Sequence, residues 1–278
     1  REWFVTRSMG GIMLLSGLLT ILLILTTGWG IYIILRQKKI SDIKTDFINN
    51  MTHELKTPIA TIGLAADAIA NPKVIGNEEK VREFLAAIKR ENRRMNARVE
   101  QVLQVALLDS RDFHLNIQKV NVHALIESII ESLRIRLEHE QAKIHIQLGA
   151  QPAEIEADRD HLGNVLANLL DNAIKYSPGS PEISIETSVR GRYMMIAVQD
   201  KGVGMSREVQ TRIFDRFFRA GSGNIHNTKG FGLGLSYVKA IVLTHKGYIQ
   251  VESQPGKGSR FEIFIPYQFN HGGLSIGK

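Results

Sequence analysis

The sequence predicts an α+β protein in three successive parts: a transmembrane helix, a helical-hairpin domain forming a dimeric four-helix bundle, and a two-layer α/β sandwich. Three observations predict it. From Gly10 to Leu35 twenty-six residues pass without a charge. From Ile40 to Ala106 apolar residues recur at gaps of three and four, the period of helices that bury one face. From about Phe113 short alternating runs are interspersed with helix-period runs, which suits helices laid on a sheet.

The uncharged run exceeds the ~20 residues a helix needs to cross a bilayer. It lacks the short apolar core and small-residue cleavage site of a secretory signal. Residues 10–35 are therefore expected to contact membrane lipid. Arg36, Lys38 and Lys39 follow at once, so the positive-inside rule places everything after them in the cytoplasm, with the span in the inner (cytoplasmic) membrane. Arg1 and Arg7 on the other flank weaken that asymmetry. The chain opens on Arg1 rather than Met and is read as a fragment or processed form. Residues 1–9 would be an extracytoplasmic flank, with the sensor region outside the sequence.

Composition narrows the chemistry. With 44% hydrophobic and 23% charged residues the chain is ordinary for globular protein. It has no cysteine, which excludes disulfides, thiolate metal sites and cysteine nucleophiles. The formal charge is +7, but the basic residues concentrate after the span and along one helix (Lys89, Arg90, Arg93, Arg94, Arg98). No aromatic residues interleave with them to stack bases, so a solvated face is expected and no direct nucleic-acid partner.

The first stripe after the span runs Ile40, Ile43, Phe47, Met51, Leu55, Ile59, Ile62, Ala66 and Ile69, and Asn71-Pro72 breaks it. The second runs Val81, Leu85, Ile88, Asn92, Met95, Val99, Val102 and Ala106, a heptad seam with one polar member. A hairpin cannot bury two such stripes alone, so two hairpins pairing as a homodimer are expected over residues 36–110. A monomeric hairpin packed on the following domain is the alternative, and the heptad spacing favours the dimer.

The first helix carries His53-Glu54-Leu55-Lys56-Thr57-Pro58. His53 lies off the apolar stripe and should face solvent. Thr57, four residues on, shares its helical face. Glu54 is close enough to bond an imidazole nitrogen and hold its tautomer. Pro58 removes a helix hydrogen bond and crowds the Glu54 carbonyl, so the helix should bend or loosen there.

The later half reads as strands at Lys143–Leu148, Glu182–Ser188, Tyr193–Gln199, Tyr248–Ser253 and Arg260–Pro266, with an amphipathic stretch from His123 to Glu140. Asp158 is a helix cap before an apolar-periodic run. On that helix Asn168, Asn172, Lys175 and Tyr176 share one face. Amides ending in a lysine suit a hydrated Mg²⁺ that bridges phosphates, although Asn-rich faces are often simply exposed. Asp200-Lys201-Gly202-Val203-Gly204 follows a strand and puts a carboxylate beside backbone free to approach a ligand. Gly230-Phe231-Gly232-Leu233-Gly234-Leu235 opens another helix, where backbone N–H groups cradle phosphate. It is neither a dinucleotide fingerprint nor a Walker loop. Ile213 to Arg219 reads as an aromatic hinge, and Ala220 to Lys229 as a mobile lid.

His53 through Pro58 resembles the phosphoacceptor box of the sensor histidine kinases of two-component systems. The four later segments, in order, are similar to that family's N, G1, F and G2 boxes, and Gly256 to Phe261 resembles its closing turn. The match spans roughly Ser41 to Tyr267. The resemblance implies a Bergerat-type ATP-binding fold over residues 111–267, shared with gyrase, ninety-kilodalton heat-shock chaperones and mismatch-repair ATPases, and a tail at 268–278. It implies that His53 takes the γ-phosphoryl group of ATP, that Glu54 assists proton removal, and that Thr57 supports dephosphorylation of a partner response regulator. By the same resemblance Asn172 binds Mg²⁺ with Asn168 nearby, Lys175 meets phosphate, Tyr176 stacks near adenine, and Asp200 bonds the adenine amino group. Gly202, Gly204, Gly230, Gly232 and Gly234 shape the pocket. The phosphoryl group would pass on to an aspartate of a separate response regulator, with residues 108–115 as a hinge. An ATPase of the gyrase and chaperone class, or a degenerate kinase acting as a scaffold, is the alternative.

Overall fold

The computed structural model describes residues 2–107, 113–218 and 232–269, the side chains of the N-terminal helices only in part. The chain divides into two compact units, Arg1–Glu54 and Leu55–Lys278. Helix α1 is continuous over Glu2–Ala70 and contains Pro58. Within it Ser16–Lys38 is long and apolar enough to cross a membrane, with mean hydropathy 2.2, and none of its most apolar window is buried against protein. Helix α1 runs through Pro58, whose side chain is buried.

The expected break after α1 falls on Asn71. Its side chain accepts from the Lys73 N–H at 2.9 Å and starts the one-turn helix α2, Pro72–Ile75, with proline at the position where no N–H is needed. Asn77 then takes the Lys80 N–H at 3.1 Å at the start of α3, Glu78–Leu107. Much of the hairpin's apolar surface stays open in the single chain: Ile59, Leu64, Leu85, Val99 and Leu103 are 42–71% exposed.

The remaining elements in order are β1 (Ile117–Asn121), α4 (Val122–Ser132), α5 (Arg134–His139), β2 (Lys143–Leu148), β3 (Glu154–Asp158), α6 (Arg159–Lys175), β4 (Glu182–Arg190), β5 (Tyr193–Asp200), α7 (Arg207–Arg212), α8 (Gly234–Thr244), β6 (Tyr248–Gln254) and β7 (Gly258–Pro266). The five expected strands are all present. The single amphipathic stretch expected from His123 is two helices, parted at Leu133. The two-stranded sheet of β1 and β3 had not been expected; β1, Ile-Gln-Lys-Val-Asn, does not alternate, and β3, Glu-Ile-Glu-Ala-Asp, alternates over only five residues that run straight into the α6 cap.

The main sheet has the order β2-β4-β5-β7-β6. β2 pairs parallel with β4, and the other pairs are antiparallel. One face of the sheet is mostly apolar, with Ile183, Ile185, Met194, Ile196, Val198, Phe261, Ile263 and Ile265 buried and Thr187 and Asp200 as buried polar members. Helix α6 covers it with Leu162, Val165, Leu166, Leu169, Leu170 and Ala173, and α8 with Val238, Ile241 and Val242. Each fully buried side chain of this kind stabilises by about 1.5–3 kcal/mol. Helices on one face of a mostly antiparallel sheet make the two-layer sandwich. The site is built where α6 ends, β5 ends and α8 begins.

Candidate active site

The site starts from the cap of α6. Asp158 Oδ1 accepts from the N–H groups of Asp160 and His161 at 3.1 and 3.0 Å, which sets where the helix begins and hence which residues face outward three turns later. Asn168 and Asn172 are half-buried on that helix. Asn168 Nδ2 donates to the Asn164 carbonyl at 2.8 Å. Its Oδ1 is held against the first turn of α8, where a Cβ added to Gly234 would lie 2.7 Å away. The two expected phosphate-binding segments, Asn168 and Gly234, are thus brought into contact.

The end of α6 is tied to the loop after β5. The Tyr176 N–H closes the helix on the Asn172 carbonyl at 3.0 Å, and the Tyr176 carbonyl accepts from the Val203 N–H at 3.0 Å. A Cβ at Gly202 would stand 2.4 Å from that carbonyl oxygen, so only glycine fits. Lys175 Nζ lies 4.8 Å over the Tyr176 ring and 3.2 Å from its hydroxyl. Tyr176 is 40% exposed and offers an aromatic face beside this loop.

Asp200 ends β5 and is 6% exposed. Its Oδ1 accepts from the Gly202 N–H at 2.8 Å and the Ser259 N–H at 3.2 Å. Burial raises its pKa above the ordinary aspartate value, and the two N–H bonds oppose that rise. Both bonds fall on one oxygen, so Oδ2 is the one left to accept from a ligand.

The loop rests on the β6–β7 hairpin. Gly256 N–H donates to the Val203 carbonyl at 2.8 Å, and Met205 N–H to Ser253 Oγ at 2.8 Å. Gly204 has φ +62°, and a Cβ there would lie 1.9 Å from the Gln254 carbonyl oxygen.

Gly258 and Ser259 were not among the expected site residues. Ser259 holds Asp200 through its N–H. Gly258 has φ +90°, and a Cβ there would lie 2.0 Å from the Asp200 carbonyl oxygen. A signal for them existed in the glycine-containing turn Gly256 to Phe261, but the contact spans fifty-nine residues along the chain. Gly258→Ala is expected to cost about 3 kcal/mol or more, because a side chain must clash with backbone in a left-handed conformation. A denaturant midpoint shift checks this, and an unshifted midpoint would refute it.

Gly232 meets the aromatic segment before it: Phe217, itself at φ +65°, donates its N–H to the Gly232 carbonyl at 3.0 Å. Arg212 packs 4.3 Å over the Phe218 ring. Gly230, Arg219 and residues 220–229, expected as pocket, hinge end and lid, lie outside the described residues. The backbone of His53 and Glu54 lies within α1, but their side chains lie outside the described set. Thr57 is exposed on the same helix, and its carbonyl accepts from Thr61 Oγ1 at 3.1 Å.

One buried ionisable group stands behind the site and had not been expected. His245, at the end of α8, is fully buried. Nε2 accepts from the Asp158 N–H at 3.0 Å, so the proton must sit on Nδ1, which donates to the Ile241 carbonyl at 2.9 Å. Burial lowers its pKa; the Ile241 carbonyl and the Asp158 charge pull the other way, and His161 adds to the lowering. The ring is neutral in the fold and charges in the unfolded chain below about pH 6.5. Its contribution to stability is therefore complete above about pH 6.5 and is lost as pH falls toward the lowered folded pKa. Thermal melting of the chain is expected to drop between about pH 7 and 5, and His245→Gln, which does not titrate, is expected to flatten that part of the profile. Parallel profiles for the two chains would refute the assignment.

Comparison with known proteins places this arrangement. Residues 43–111 match the model of the His Kinase A (phospho-acceptor) domain. Residues 157–268 match that of the histidine kinase-, DNA gyrase B- and HSP90-like ATPase. The sensor protein RprX of Bacteroides fragilis is 40% identical over 259 residues, covering 91% of this chain and 49% of the relative. The sensor histidine kinase WalK of Bacillus subtilis is 30% identical over 240 residues, 86% of this chain and 39% of the relative. The chain thus spans half or less of the length of these curated relatives. The solved histidine kinase AdeS of Acinetobacter baumannii is 26% identical, with a TM-score of 0.57 over 77% of this chain and 98% of that one. A phospho-acceptor segment that precedes an ATPase fold, with sequence similarity running through both, makes this chain a member of the sensor histidine kinase family.

Proposed function

We propose that this chain is the membrane-anchored transmitter part of a sensor kinase, which binds ATP with Mg²⁺, phosphorylates its own His53 and passes the phosphoryl group to an aspartate of a separate response regulator. The observation that carries the reading is the buried Asp200 carboxylate. One oxygen is saturated by Gly202 and Ser259, and the other is free for the amino group of a nucleobase, beside the Tyr176 ring. The match of this region to an ATPase domain supports it.

In the proposed reaction a ring nitrogen of His53 attacks the γ-phosphorus in line. The bond to the β-phosphate oxygen breaks, ADP leaves and a phosphoramidate forms. Glu54 would hold the imidazole tautomer and receive its proton. Positioning and charge neutralisation would supply most of the acceleration. Lys175 and the N–H groups at the start of α8, around Gly232 and Gly234 and with Gly230 before them, would take the phosphates. Among the described residues no three His, Asp or Glu side chains gather as a metal site. The half-buried Asn172 amide, with Asn168 nearby, fits a cation that takes most of its ligands from phosphate and water, as Mg²⁺ does. That ion would neutralise charge on the phosphates.

The exposed apolar faces of α1 and α3 support a homodimer formed by residues 36–110. Residues 10–35 would span the inner membrane, with Arg36, Lys38 and Lys39 and the catalytic part, 111–267, in the cytoplasm. Thr57, four residues from His53, would support dephosphorylation of the regulator.

The test is incubation of the detergent-solubilised chain with γ-labelled ATP and Mg²⁺. Acid-labile, alkali-stable label on the protein is expected. ATP hydrolysis without protein label would favour the gyrase-type ATPase, and ATP binding with neither would favour a scaffold.

A further inference from the structure

Asp158 is the meeting point of three segments. Its Oδ1 caps α6, while Oδ2 accepts from the Asn116 N–H at 2.8 Å, in the segment just before β1. Its own N–H is held by His245 on α8, at 3.0 Å. A second thread runs beside the first. The Phe113 ring meets His161 edge-on at 5.2 Å, and His161 Nδ1 lies 2.8 Å from the Tyr237 hydroxyl on α8. Asp158, Tyr237 and His245 are 5%, 2% and 0% exposed.

The residues expected to touch nucleotide lie farther along α6, at Asn168 and beyond, and at the start of α8 around Gly234, one turn from Tyr237 and a helix length from His245. Buried polar groups are costly unless fully bonded, and an apolar side chain would fill the core without that cost. The bonds tie the start of α6 to the segment before β1 and to both ends of α8, so the network sets the register of those elements. Register matters at the other end, where Asn168 Oδ1 and the Gly234 backbone leave no room for even a Cβ.

We propose that Asp158 and His245 are positioning residues for the nucleotide site: they lock α6 against α8 and tie that register to the backbone of residues 113–116. Nucleotide binding and the ordering of this segment are then coupled, and the coupling acts in both directions. The proposal rests on the kinase reading, because it takes α6 and α8 to embrace the phosphates.

Two measurements on the full chain in detergent micelles test it: the Kd for a non-hydrolysable ATP analogue with Mg²⁺, and hydrogen exchange of the 113–118 peptide with and without that analogue. Asp158→Asn keeps a carbonyl oxygen for the α6 cap, but its amide nitrogen cannot accept from Asn116. His245→Met removes the acceptor for the Asp158 N–H, and His245→Gln returns one. In the wild type the analogue should slow exchange at 113–118. Asp158→Asn and His245→Met should bind about 5- to 20-fold more weakly and lose that protection, and His245→Gln should recover most of both. A purely structural role would lower the melting temperature of His245→Met yet leave affinity and protection intact in Asp158→Asn, and that result would overturn the proposal. So would analogue binding by the wild type without protection at 113–118. Failure of the wild type to bind the analogue at all would refute the kinase reading, and the proposal with it.

Discussion

His53→Gln is expected to abolish incorporation of label from γ-labelled ATP, by about a hundredfold or more, while leaving the Kd for ATP unchanged. Glutamine is close to histidine in size and is at least as good a helix former, so α1 should persist. It has no nucleophilic ring nitrogen, and an amide does not form a stable phosphoramidate under these conditions. The nucleotide contacts proposed above come from α6, the loop after β5 and the start of α8, none of which contains His53. The measurement is label per chain beside equilibrium binding of ATP. Retained acid-labile label would move the acceptor to another histidine, and lost ATP binding would mean that the substitution acts on the fold.

Asp200→Asn is expected to weaken ATP binding by roughly 30- to 1000-fold, about 2–4 kcal/mol, with little loss of stability. The asparagine carbonyl can take over both N–H bonds that Oδ1 receives from Gly202 and Ser259. The amide nitrogen then stands where Oδ2 stood, a donor facing the donor of an amino group. A buried mismatch of this kind costs the lost bond and leaves both groups unsatisfied. Protonation of Asp200 does the same chemically. Because burial raises its pKa, ATP affinity should begin to fall at a higher pH than for an exposed aspartate as the solution is acidified. Isothermal titration of both chains with ATP checks the expectation, and an affinity within a factor of about three would remove Asp200 from the nucleotide site.

The long elements were legible in the sequence because each carries its period in many residues. The apolar stretches of α1 and α3, the Asn71-Pro72 break and the five main strands follow from spacing and helix punctuation, whereas one unbroken helix from Glu2 to Ala70 does not. Asp158 was legible as a cap because the physics of capping is local. The short strands β1 and β3 were not legible, since they are defined by each other's hydrogen bonds. The break at Leu133 was missed as well: the apolar period continues across it, and neither glycine nor proline marks it.

The candidate site divides the same way. Sequence by itself determined which residue types are present and in what order: the histidine box, the amide face of α6, the acid before a glycine turn and the glycine run before α8. Those are properties of neighbours along the chain, set by helix and strand geometry over a few residues. Only the tertiary structure decided that Asn168 meets Gly234, that the Tyr176 carbonyl leaves room for nothing but Gly202, and that Ser259 holds Asp200 while Gly258 makes room beside it. It also decided that His245, an ordinary residue in sequence, is a buried neutral ring bonded to the start of α6. Such contacts join segments up to eighty-seven residues apart. They depend on the angle at which packed elements meet, and no local pattern of residues encodes that angle.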